Sequence, residues 1–150
     1  MFIHKKIQIK DVTFGKNVII YDPVNLYSCS IGDNCMIGPF VEIQSDVKIG
    51  KDTRVQSHSF ICSGVTIGKN CFISHGVFFT NDKFKKGGPS GTKNFLQTVL
   101  SDNVSIGSNA TILPVKICDK VVIGAGSVVT KDILKPGIYA GNPAKLIKNL

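Results

Sequence analysis

From Ile31 to Phe78 the chain reads IGDNCM IGPFVE IQSDVK IGKDTR VQSHSF ICSGVT IGKNCF ISHGVF. An aliphatic residue opens every hexad: Ile31, Ile37, Ile43, Ile49, Val55, Ile61, Ile67 and Ile73. A period of six fits neither an amphipathic helix, which repeats at about 3.6, nor a half-buried strand, which alternates. It is the pattern of a parallel β-helix, in which one short strand follows another around a coil. The remaining positions agree. The fourth place holds Asn34, Asp46, Asp52, Gly64, Asn70 and Gly76, residue types that accept the positive φ of a tight corner. The fifth holds Cys35, Val41, Val47, Thr53, Ser59, Val65, Cys71 and Val77, small or branched as a narrow interior requires. Three such sides close a triangular coil of roughly 18 residues.

Outside this stretch the pattern is looser. Met1 to Asn25 opens irregularly, with early hexads near Phe14–Ile19 and a corner at Asp22-Pro23. Leu26 lies five residues before Ile31, so one position is deleted there. After Thr80 the repeat stops. A loop over about 82–98 carries Gly87-Gly88-Pro89, Gly91 and four lysines, Lys83, Lys85, Lys86 and Lys93. An excursion of this length from a compact rod marks a functional or disordered segment. The repeat resumes at Leu100 and ends at Pro136-Gly137, leaving 136–150 as a cap. There Asn142 as N-cap and Pro143 in the first turn predict a short helix through Ile147, which would cover the last strand edge. Residues 1–150 thus read as a single all-β domain: a parallel β-helix of hexapeptide repeats with one extruded loop and a short C-terminal helix.

Composition narrows the partners. The formal net charge is +8, carried by lysine, with Arg54 the only arginine. The lysines are scattered, and no basic helix with interleaved aromatics occurs. The charge therefore suits anionic small molecules, and nucleic acid is not expected. The five cysteines form no CxxC pair, which argues against a disulfide framework or a zinc knuckle. Coil arithmetic stacks Cys35, Thr53 and Cys71 in one column. That holds the two thiols about 10 Å apart, too far to bridge. Reduced core thiols, no signal-like start and no long apolar run predict a cytoplasmic protein without membrane contact. Outward Phe40, Phe60, Phe72 and Phe78 need covering, which predicts a closed cyclic assembly.

Several segments are more specific than the hexads: Val24-Asn25-Leu26-Tyr27, Cys29 to Asn34, Gly38 to Gln44, Ser57 to Cys62, His75 to Asp82 and Gly141 to Lys145. Together they resemble the nucleotide-sugar N-acetyltransferases of the hexapeptide-repeat acyltransferases. The likeness is greatest to those acting on dTDP-3-amino-3,6-dideoxyhexoses, with the UDP-linked 3-amino-hexuronate enzymes as close relatives. The resemblance implies a left-handed coil, an exception to the usual right-handed crossover. It also implies acetyl-CoA as co-substrate, a nucleotide-linked amino sugar as acceptor for surface glycan synthesis, and a homotrimer with the site between subunits. Two departures are visible: Asp82-Lys83-Phe84-Lys85-Lys86 where many relatives carry an aromatic-Pro-Arg sequence, and a missing glycine between Pro114 and Val115.

The same coil arithmetic places the chemistry. Ser57 stacks on His75, His58 on Gly76 and Ser63 on Asn81. His75 and Asn81 fall on different sides of one coil, so a subunit seam is needed to bring them together. Amide formation needs a proton acceptor, and a free imidazole titrates at about pH 6.5. His75 is the candidate base, with Asn81 and Asp82 positioning or charge-stabilising the amine. His58 is expected to pack beside His75, and His4 lies in the irregular start. By resemblance, Gly107, Ser108, Ala125 and Gly126 line a pantetheine path, and Pro143 with Lys145 meets the adenosine phosphates. The loop lysines are candidates for a diphosphate or for the CoA phosphates. Three other readings share the rod. One is O-acetyl transfer to a sugar or serine hydroxyl. Another is zinc-dependent hydration like that of the γ-class carbonic anhydrases, which needs three histidine ligands. The last is a trimerising scaffold. No metal is expected.

Overall fold

The computed structural model describes residues 1–150 apart from 2, 5 and 7. The chain forms an all-β parallel solenoid of about seven turns, consistent with the left-handed form. The turns lay short strands on three sheets, of seven, six and eight strands among the described residues. The first sheet contains Ile9–Lys10, Asn25–Tyr27, Glu42–Ile43, Phe60–Ile61, Phe78–Phe79, Thr111–Ile112 and Val128–Val129. The second runs from Thr13–Phe14 to Lys116–Ile117, and the third from Ile19–Ile20 to Lys145–Lys148.

The hexad dictates this shape residue by residue. Its first position points inward in every coil: Ile31, Ile37, Ile43, Ile49, Val55, Ile61, Ile67 and Ile73 are all buried. The fourth position turns the corner at positive φ, as at Asn34 (55°), Asp52 (60°) and Asn70 (52°). These corner side chains also pair along the rod. Asn34 Nδ2 donates to Asp52 Oδ1 (2.9 Å), and Asn70 Nδ2 to Asn103 Oδ1 (2.8 Å). The Cys35–Thr53–Cys71 column forms as expected, with Thr53 Oγ1 accepting from the Cys71 N–H at 3.1 Å. All five cysteines are free thiols.

Deletions and the insertion shift register without opening the coil. Ile31 pairs with Ile49, one full coil on, whereas Phe14 pairs with Ile31 and Leu26 with Ile43, each one residue short. Phe79 pairs with Ile112 and Ile67 with Leu100 across the loop, so the rod closes beneath the excursion as if it were absent.

The C-terminal helix does not form. Gly137–Ala140 instead extends the third sheet, and Lys145–Lys148 returns antiparallel to it, with Tyr139 opposite Leu146 and Ala140 opposite Lys145. The last strand of a solenoid exposes a row of unpaired N–H and C=O groups. Four residues gain more by pairing with that edge than by nucleating a helix of one turn. The edge is still covered, by strand rather than helix.

Burial pushes the Cys62 thiol up to about 12 and the Cys29 thiol up to about 11. Thiolates are the reactive form. At pH 8 the native protein is therefore expected to react promptly with a thiol reagent at half-buried Cys118 alone, and all five cysteines to react in denaturant. Prompt native labelling of Cys62 would show that the rod opens readily.

Candidate functional site

His75 sits at the corner between the third and first sheets. The buried strand residue Ile73 lies before it and the strand Phe78–Phe79 after it. Its ring is exposed, and Nδ1 lies 2.8 Å from Ser57 Oγ on the coil below. That contact occupies one ring nitrogen and leaves Nε2 as the outward one. On the coil above, the Asn109 N–H donates to the His75 carbonyl at 2.9 Å. Beside His75 in the corner is Gly76, at φ 64°, where a Cβ would meet Asn109 Oδ1. The corner therefore carries no bulk next to the imidazole.

In the column next to Ser57 and His75, the corner carries two unusual residues. Phe40 and His58 occupy the fourth hexad position, at φ 61° and 63°. A bulky side chain seldom takes that conformation. Their rings stack with centroids 4.8 Å apart. His58 thus packs on Phe40, on the rung below Gly76, rather than on His75.

The small residues expected to line a thin ligand lie on the same corner, further along the rod. Ser108 Oγ is 2.8 Å from Ser74 Oγ, and the Gly126 N–H donates to the Ser108 carbonyl at 2.8 Å. Gly107 lets adjacent coils close up, since a Cβ there would lie 2.5 Å from the Ala125 nitrogen. Ala125 and Gly126 are exposed. Pro143 and Lys145 are exposed in the turn and returning strand that finish the rod. His75, Ser108 and Ala125 therefore form one line, which runs toward that terminal turn.

Asn81 lies at the opposite edge of the first sheet, where its Nδ2 donates to the Ser63 carbonyl at 3.2 Å. It lies six positions on from His75, a span of up to about 20 Å in extended chain. Within the chain the two side chains have separate partners, Ser57 for His75 and Ser63 for Asn81. Asp82 follows and is engaged within the loop. Its Oδ1 accepts from the Phe84 N–H and the Ser90 hydroxyl, each at 2.9 Å, and its Oδ2 from the Ser90 N–H at 2.6 Å. Those bonds, the Ser90 N–H foremost, hold its carboxyl below the ordinary carboxylate range. The Leu96 N–H closes the loop on the Asn81 carbonyl at 2.8 Å.

The first sheet between these edges presents Phe78 (49% exposed) with Phe60 beside it, ring centroids 6.4 Å apart. Phe40 (58%) and Phe72 (38%) flank the His75 corner. The two faces of the rod that meet near His75 thus carry exposed aromatic rings. Among the described residues no group of three His, Cys, Asp or Glu side chains gathers as a metal set. No helix among them is long and apolar enough to cross a membrane.

Ser57 had a signal in the sequence, since the register puts it under His75, but its bond to Nδ1 needed the structure. The Ser74–Ser108 pair had none, because its register crosses the loop.

The hexad-wound solenoid thus carries a serine-held histidine at one corner and a loop further round the same coil. Residues 28–63 match the family described as bacterial transferase hexapeptide (six repeats). Residues 46–81 and 98–131 match the hexapeptide repeat of succinyl-transferase. The chain belongs to the hexapeptide-repeat transferases. The two matched stretches of the second family break off on either side of the loop. Among curated relatives, the bifunctional protein GlmU of Clostridium botulinum (strain ATCC 19397 / Type A) is 30% identical, over 87% of this chain and 30% of its own length. That of Prochlorococcus marinus (strain MIT 9313) is 25% identical, over 93% and 41%. The chain therefore spans well under half the length of these relatives. The structure of a D94N mutant of AntD, an N-acyltransferase from Bacillus cereus, in complex with dTDP and coenzyme A, superposes with a TM-score of 0.81. It is 26% identical and covers 91% of this chain and 83% of that one. A maltose O-acetyltransferase from Clostridium difficile 630 superposes at 0.60, also 26% identical, covering 92% and 69%.

Proposed function

We propose that the chain is an acetyl-CoA-dependent N-acetyltransferase acting on the amino group of a nucleotide-linked sugar, a dTDP-3-amino-3,6-dideoxyhexose above others, for surface glycan synthesis. The observation that carries this reading is the exposed His75 ring held through Nδ1 by Ser57, on the same line as Ser108 and Ala125. With Nδ1–H donating to Ser57 Oγ, Nε2 keeps its lone pair for the incoming amine. The amine nitrogen attacks the thioester carbonyl, forming the amide C–N bond and breaking the C–S bond. Its proton passes to His75 Nε2 and thence to the departing thiolate. Backbone N–H groups at the corners are suited to hold the oxyanion.

Pantetheine fits the line of small residues Gly107, Ser108, Ala125 and Gly126, where Gly107 lets two coils close up and Gly126 faces open space. Pro143 and Lys145 at the end of the rod would meet the adenosine phosphates. The exposed Phe40, Phe72 and Phe78 favour a homotrimer that covers them and brings a neighbour's Asn81 toward His75. The AntD neighbour, in complex with dTDP and coenzyme A, supports this donor and this acceptor class.

A second reading, transfer to a hydroxyl, is favoured by the maltose O-acetyltransferase neighbour. Thiol release from acetyl-CoA, with product mass, separates the two readings. It is to be measured with dTDP- and UDP-linked 3-amino and 4-amino sugars against maltose and serine. Turnover of a dTDP-3-amino sugar with addition of one acetyl group is expected. Release with maltose alone would move the chain to the second reading.

A further inference from the structure

The loop encloses a hollow that the chemistry at His75 does not use. We infer that the loop is a nucleoside-diphosphate clamp, with an aromatic cleft for the base and a lysine hollow for the two phosphates. The inference rests on the proposed function only in taking the nucleotide to be the acceptor's handle.

The cleft lies between the edge of the first sheet and the loop, about 220 Å³ in volume, walled by Phe60, Phe84 and Phe95 and carrying Gln44, Thr80 and Asn81. Aromatic faces with a few polar groups suit a flat heterocycle. One of those polar groups lacks a partner. Thr80 Oγ1 is buried in that wall without a hydrogen bond among the described residues, which costs stability.

The second hollow, about 270 Å³, adjoins the first through Asp82 and is lined by Lys83, Lys85, Lys86, Ser90, Asn94 and Leu96. No loop lysine forms an ion pair among the described residues. A carboxylate in an anion site would ordinarily oppose it. Here Asp82 spends its oxygens on Ser90 and Phe84, so it fixes the loop in shape. Three ammonium groups and one carboxylate leave a net charge of about +2, matching a diphosphate diester. Lysines act on phosphate as point charges, so a preset loop that gathers three of them is what this ligand needs.

A nucleoside diphosphate also occurs in coenzyme A, and the test distinguishes the two sources. Calorimetric titration uses dTDP, UDP and, separately, coenzyme A, on the full-length protein and on Lys83→Ala/Lys85→Ala/Lys86→Ala, Phe84→Ala and the triple Lys→Arg variant. Loss of the lysines is expected to weaken dTDP or UDP about tenfold or more and to flatten the salt dependence, with the arginine variant binding as wild type. Phe84→Ala is expected to weaken both about three- to tenfold. Coenzyme A affinity should not change. Unchanged dTDP and UDP affinity in the triple alanine variant would overturn the clamp, as would absence of binding by the wild type. Selective loss of coenzyme A binding would assign the hollow to the other ligand and overturn it too. Because binding is read without turnover, failure here is separate from failure of the thiol-release assay.

Discussion

His75→Ala is expected to lower kcat/KM for acetyl transfer by about 10²–10⁴, or about 3–5 kcal/mol of transition-state stabilisation, the range for losing a general base. The fold should not register the change. His75 is exposed, its side chain is hydrogen-bonded to Ser57 Oγ, and the inward residues on either side, Ile73 and Val77, are untouched. Ser57→Ala tests how the base is held. Losing one hydrogen bond of about 1 kcal/mol frees the ring to turn, and a fall of about three- to tenfold in kcat with little change in KM is expected. The pH–rate profile should change shape in Ser57→Ala and recover in Ser57→Thr, which keeps the hydroxyl. A merely structural serine would leave that profile unmoved. If His75→Ala keeps more than half of the wild-type rate with a verified acceptor, the histidine is not the base and catalysis lies in substrate placement alone.

The parts legible in the sequence share one physical basis: they follow from period and register. An inward residue every sixth position fixes which side chains are buried. Asn and Asp at the fourth position reveal the corners because so few residue types tolerate the left-handed region. Even the placement of Ser57 under His75 and Ser63 under Asn81 needed only a coil length. What failed was local propensity set against a tertiary demand. Asn142-Pro143 is a good helix opening in isolation, but the open edge of Gly137–Ala140 gives Lys145–Lys148 a stronger alternative. The state of Asp82 was equally hidden. Its partners Phe84 and Ser90 lie inside an irregular loop, where no period exists to read. The Phe40–His58 stack has a trace in the sequence, since both hold the fourth position one coil apart, but nothing in their residue types shows that they adopt the positive φ of the Asn, Asp and Gly corners.

Phe79→Ala is expected to be the most damaging single change to stability, at about 3–5 kcal/mol. Phe79 is the largest of the fully buried side chains among the described residues and takes an inward place that Leu, Ile or Val fills in other coils. It pairs in register with Ile112 on the far side of the insertion, so it is one of the residues that carry the core past the point where the loop leaves. A narrow triangular interior cannot collapse onto the gap, because each coil is fixed to its neighbours by backbone bonds such as that from the Thr80 N–H to the Ile112 carbonyl (2.9 Å). For a chain of this size each kcal/mol moves Tm by about 2–4 °C, so a fall of roughly 6–20 °C is expected at matched protein concentration. Phe79→Leu, which keeps most of the volume, should cost about 1.5 kcal/mol or less. In a repeat architecture the damage concentrates at the weakened coil. Asn81 and the loop base should therefore lose protection from hydrogen exchange before the coils around Ile43 do. The two variants then have opposite signatures: His75→Ala slows turnover in an intact rod, whereas Phe79→Ala loosens the rod at the loop. Exchange loss spread evenly along all three sheets would mean instead that the rod melts as one unit and that the coil beneath the loop is not its weak point.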